Sequence, residues 1–216
     1  MNIVKKTIVI VAFIATSVLS AYAQDNTDFK TFLELFPQRN YPLNLYYEDE
    51  SAWEIHRPSI PDTLYEKYVF QKESFLIKEN EKICFSGFWA KGQFSVYKPF
   101  HLLLVAKIAF ESGCGEENWL VTYTPQGEII DVLFIYGRKT NYDNDDKEPH
   151  FIVESVITAD SITVKRRETI DALIRVDERT TKSTFNAFYM VYRISEEGKF
   201  ILVSEEVKYE ERFWRR

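Results

Sequence analysis

The sequence predicts a mainly antiparallel β protein, a meander curled as a partly open barrel or a sandwich, with one or two short N-terminal helices. Three observations predict it. Aromatics make up 16% of the 216 residues, led by 17 Phe and 13 Tyr, and such residues, with the β-branched ones, suit the pleated, half-buried surface of a sheet. Glycine is scarce, at 7, which argues against folds built around Gly-rich phosphate loops. From Phe94 onward, apolar runs alternate with short turn clusters, the pattern of strands joined as hairpins.

Residues 1–23 read as a cleavable secretory signal peptide. Lys5 and Lys6 give a positive start, Thr7 to Ser20 an uncharged apolar core, and Ala21-Tyr22-Ala23 a small-x-small site before Gln24. A spanning helix needs roughly 20 apolar residues, and this core is shorter. No cysteine lies near the cleavage site, so a lipoprotein anchor is not expected. The expected location is the periplasm or the exterior. No later apolar run is long enough to span a bilayer. The mature chain, 24–216, is expected to be one β-rich domain, with a helical and irregular part over 24–92 and the meander over 93–216. Cleavage removes Lys5 and Lys6 and no acid, so the formal charge of −6 becomes −8. Such a balance has no electrostatic footprint for nucleic acid. The clusters Lys165-Arg166-Arg167 and Arg212 with Arg215-Arg216 are short and flanked by acids.

Phe29, Phe32, Leu33 and Phe36 fall at i, i+3, i+4 and i+7, one face of a helix over Asp28 to Phe36. Thr27 or Asp28 can cap it and Pro37 stops it. Tyr41 to Tyr47 reads as a short strand, Pro61 to Tyr68 as a second helix, and residues 71–92 give no clear period. Phe100 to Phe110 is a nearly continuous apolar run, a buried strand. Asn118 to Thr124 pairs with Glu128 to Tyr136 across Pro125-Gln126-Gly127, a tight-turn sequence. Phe151 to Ile157 and Ile162 to Glu168 flank Thr158-Ala159-Asp160-Ser161. Residues 170–180 suggest a further strand. Phe185 to Ile194 and Phe200 to Tyr209 flank Ser195-Glu196-Glu197-Gly198-Lys199.

The signal ending AYA-Q, the opening FLELFP (Phe32 to Pro37), LVTYTPQGEIID (Leu120 to Asp131) and YRISEEGKF (Tyr192 to Phe200) resemble small exported β-meander proteins of Bacteroidetes, mostly of unknown function. The likeness covers about half the chain. It implies a compartment and a fold, and no catalytic residue.

The candidate chemistry is sparse. Cys84 and Cys114 are the two cysteines, and export would deliver them to an oxidising space. A disulfide between them would close a loop of about 30 residues, worth about 3.6 kcal/mol in the chain-entropy picture. Cys114 lies in a flexible Ser-Gly-Cys-Gly turn, while the apolar surroundings of Cys84 equally suit a buried free thiol. The histidines His56, His101 and His150 show no pair at ligand spacing, and neither H-E-x-x-H nor C-x-x-C occurs. His101 reads as a packed sheet histidine. On a strand, Glu54 and His56 would share a face with Trp53 turned away, which makes that pair a cleft candidate. The loop Asn141 to Glu148 imitates the opening of a calcium loop. It then places Asp146 where the turn glycine belongs and Ile152 where a bidentate Glu is required, so it reads as a solvated loop. Glu116-Glu117, Glu205-Glu206 and Glu210-Glu211 are neighbours on opposite strand faces and read as surface charge. No nucleophile elbow or phosphate-binding loop motif is present. The tryptophans Trp53, Trp89, Trp119 and Trp214 serve either a core or a binding face.

No catalytic residue, metal ligand or cofactor site is therefore assigned. The expected function is an exported, non-catalytic protein that binds a protein or glycan partner in the cell envelope. Two alternatives are a barrel-like carrier of a small apolar ligand, with an internal cavity, and a hydrolase without a familiar motif, with convergent acids or His56 in a cleft.

Overall fold

The computed structural model describes residues 27–46, 58–70, 85–96, 99–109, 116–139, 151–176 and 180–215. They form an open, mainly antiparallel sheet of ten strands with two short helices, α1 (27–34) and α2 (Asp62–Tyr68). The strands are β1 (Gln38–Arg39), β2 (Leu43–Leu45), β3 (Phe85–Phe94), β4 (His101–Ala109), β5 (Glu116–Tyr123), β6 (Ile129–Lys139), β7 (Phe151–Ile157), β8 (Ile162–Arg175), β9 (Thr180–Ile194) and β10 (Phe200–Arg215). From β3 to β10 each strand pairs with the next, which is a meander. Two short N-terminal strands attach elsewhere: β1 lies parallel to β3, and β2 pairs with β7.

Local chemistry accounts for the hairpins. Between β5 and β6 the Thr124 N–H donates to Glu128 O, and Gly127 takes a φ of +90° that suits glycine. Between β7 and β8 the Thr158 N–H donates to Ser161 O. Between β9 and β10 the same pattern joins Ser195 to Lys199, with Gly198 at φ +85°.

The sheet folds over at β6. Residues Asn118 to Tyr123 of β5 pair with the first part of β6, and Gly137 to Lys139 pair with β7. Gly137 sits at the changeover with φ +141°, and a Cβ there would stand 2.7 Å from the Glu116 carbonyl oxygen. The fold-over gives β3–β6 two covered faces. On one, Phe29, Phe32 and Phe36 of the α1 segment and Tyr68 at the end of α2 pack on Phe88, Leu103, Val121 and Tyr123. On the other, Leu102, Leu104 and Leu120 meet Val153 and Ile157 of β7 and Ile162 and Val164 of β8. Every residue of β5 is buried as a result. The β9–β10 turn docks back on the β5–β6 hairpin. Thr122 Oγ1 donates to Gly198 O at 2.6 Å, and the Phe200 N–H donates to Asp131 Oδ2 at 2.9 Å.

The helices and hairpins follow the sequence expectations, with boundaries moved by a few residues. Three elements differ. β3 starts at Phe85, inside the stretch that showed no period, so the sheet begins before residue 93. The strand expected over 170–180 is not separate: β8 runs on to Arg175, and β9 begins at Thr180. Of the short strand expected over Tyr41 to Tyr47, the described residues form Leu43–Leu45 alone. Among the described residues, no helix is long and apolar enough to cross a membrane.

Candidate functional site, a cleft at the mouth of the folded sheet

Where the two halves of the sheet part at one end, a cleft of about 1050 Å3 opens. Its floor is Phe100 together with Leu102, Ile157 and Ile162 of the second core, all buried. One wall is the segment from β1 toward β2, which contributes Arg39, Asn40 and Tyr41. The opposite wall is the β7–β8 turn, with Thr158, Asp160 and Ser161, and the end of β9 adds Arg193. Apolar floor and polar rim are thus built from four separate stretches of chain.

Several rim groups are held in place. Tyr41 is half-buried and stacks on Phe94, with ring centroids 5.2 Å apart and planes 20° from parallel. Burial raises its phenol above the ordinary value, so at neutral pH it is an uncharged O–H. The β7–β8 turn is knotted by one side chain. Thr158 Oγ1 accepts the Ser161 N–H at 3.0 Å and lies 3.1 Å from Ser161 Oγ. Arg39 lies across Gly92, where any Cβ would run into Arg39 Cγ. Its Nε–H donates to Lys91 O at 3.0 Å. Asp160 is the one carboxylate on the rim, with neither a second acid nor a histidine among the described lining residues. These groups can bind and orient a polar ligand.

Most residues singled out from sequence lie elsewhere. Cys84, Cys114, Glu54, His56, Trp53, His150 and the loop Asn141 to Glu148 fall outside the described residues. His101 is a packed sheet histidine as expected, 5.6 Å edge-on from Phe29, and burial lowers its pKa. Trp119 is a core residue against Phe134, and Trp89 is half-buried. No group of three His, Cys, Asp or Glu among the described residues could hold a metal ion.

One sequence expectation is overturned. Glu116 and Glu117 are not surface charge: both are buried, at 7% and 8% exposure. They do point to opposite faces of β5. Glu116 pairs with the buried Lys91 and accepts from Asn118 Nδ2 at 2.7 Å, and Glu117 lies 3.5 Å from Lys107. Two-sided burial of β5 requires such pairing, because an unpaired buried charge is far costlier than a paired one. Glu205 and Glu206 are exposed as expected. Glu210 instead joins a network across β7–β10. It accepts from Lys165 at 2.6 Å, from Arg167 at 3.2 Å and from Tyr189, while Arg167 also reaches Glu154 at 2.7 Å.

The cleft residues were missed in the sequence reading. Thr158 to Ser161 carried a turn signal, and Arg39-Asn40-Tyr41 begin two residues after the helix stop at Pro37, but nothing local joins the two stretches. The chain matches no protein-family model, no curated protein and no solved structure.

Proposed function

We propose that this chain is an exported, non-catalytic binding protein whose mouth cleft takes a glycan. The observation that carries the reading is the composition of that cleft. An apolar floor lies under a rim of a phenol, an amide, hydroxyls, a carboxylate and guanidiniums. Sugar rings offer apolar C–H faces to floor and ring, and planar polar side chains pair with their hydroxyls. Several of the rim groups are fixed by the scaffold before a ligand arrives, which reduces the entropy lost on binding. The signal-like residues 1–23 support an address outside the cytoplasm, where glycans are abundant.

The purified chain, screened against immobilised glycans, is expected to retain at least one class. Asp160→Ala, at an exposed turn, should abolish retention with little change in thermal midpoint. Retention that survives this substitution would place the binding elsewhere.

A protein partner is the second reading, favoured by β10. Ile201, Leu202, Val203, Val207, Tyr209 and Phe213 are each about half exposed along this one edge strand, an apolar display that commonly marks an interaction surface.

A further inference from the structure

We infer that the cleft selects acidic sugars, with Arg39 and Arg193 taking a ligand carboxylate; this deepens the glycan reading and rests on it. The first observation is where the chain leaves its guanidiniums unpaired. Four arginines have described side chains: Arg39, Arg166, Arg167 and Arg193. Arg166 pairs with Glu168, and Arg167 with Glu154 and Glu210. Arg39 and Arg193 have no carboxylate partner among the described residues, and both line the same cleft. The described lysine side chains on the strands are satisfied in the same way: Lys91, Lys107, Lys165, Lys182 and Lys208 each face a glutamate.

The second observation is how Arg39 is held. A guanidinium has five N–H groups in a rigid fork suited to two-point contact with a carboxylate. Arg39 spends its Nε–H on Lys91 O, which leaves the two terminal nitrogens for a ligand. Its stem rests on Gly92, the only residue type that leaves room for it there. The side chain is therefore positioned by the scaffold at little further entropic cost on binding.

The third observation is charge. The chain carries −6 overall, yet the described lining of its cleft has two cations against the single carboxylate of Asp160. An anion entering there meets local attraction inside a repelling surface. Asp160 is then left to accept hydrogen bonds from sugar hydroxyls, which a neutral or an acidic sugar supplies equally.

The test is isothermal titration of the full chain against a panel of uronate-bearing oligosaccharides. Each is paired with its carboxyl-reduced counterpart, and sulfated oligosaccharides form a third arm. The expected result is binding of a uronate member that weakens about ten-fold or more on carboxyl reduction, as loss of a charge-assisted pair requires. Arg39→Gln and Arg193→Gln should each weaken the acidic member by a similar factor and its reduced counterpart distinctly less, so that the preference for the carboxylate collapses. Arg39→Lys, which keeps the charge and loses the fork, should fall between. Gly92→Ala should mimic Arg39→Gln by displacing the stem, with the thermal midpoint of each variant as the folding control. Equal binding of acidic and reduced forms, or binding of sulfated members alone, overturns the carboxylate inference and leaves the glycan reading intact. Failure of every arm overturns the carboxylate inference, and the screen against immobilised glycans then decides the glycan reading separately.

Discussion

Glu210 shows how far a carboxyl can be moved without being deeply buried. Burial on its own raises its pKa, but hydrogen bonds from Lys165, Tyr189 and Arg167 outweigh that and hold the group at about 2. Its folded value therefore lies below the ordinary 4.5. The stability it contributes is fully present above about pH 4.5 and is lost as the pH falls toward 2. Glu210→Gln should cost about 1 kcal/mol at pH 7, a figure reduced for the network's partial exposure. The cost should shrink toward zero near pH 2, and urea denaturation at the two pH values would show it. A penalty independent of pH would mean that lost packing, not charge, is responsible. The Lys91–Glu116 pair lies at the other extreme, closed inside the sheet. Sequence could not distinguish the two cases, because adjacent glutamates look alike until their partners on other strands are known.

At the level of elements, β6 depends on one residue. Gly137 has a backbone conformation that other residues adopt only under strain, and Glu116 O would crowd any Cβ there. Gly137→Ala should therefore cost about 2 kcal/mol or more and lower the thermal midpoint by several degrees. A change of less than a degree would show that the strand can bend elsewhere. The hairpins were legible in sequence because their chemistry is local: Pro125-Gln126-Gly127 and Glu197-Gly198 sit where the chain reverses. β3 was illegible because its register slips twice, between Phe85 and Gly87 and between Ala90 and Gly92, which destroys the two-residue alternation. The expected strand over 170–180 failed for the same reason. β8 shifts register between Thr169 and Asp171 and again before Ile174, so its far half reads as a separate element. The cleft was illegible on other grounds. Its residues are ordinary polar and aromatic types at strand ends, and only the fold-over at β6 gathers them.

For the whole molecule, the open sheet has a consequence that a closed barrel avoids. β10 ends the strand order, and most of its length is exposed, including Val207 at 55%. A long edge of that kind is a template for unwanted pairing. Val207→Lys should slow light scattering on heating while leaving the thermal midpoint within about a degree; unchanged scattering would exonerate the edge. The attachment of β2 bears on a different matter, the timing of assembly. Leu43 pairs with Ile157, whereas every pairing from β3 onward joins sequential neighbours. A chain made from its N-terminus can close those hairpins as they emerge. Leu43–Leu45 must wait until β7 has been synthesised, so the wall that carries Arg39 and Tyr41 is completed only after some 110 further residues. In a complete chain the same long separation costs more closure entropy than a hairpin does, so ligand binding should appear late in refolding, after most of the β-sheet signal has been recovered.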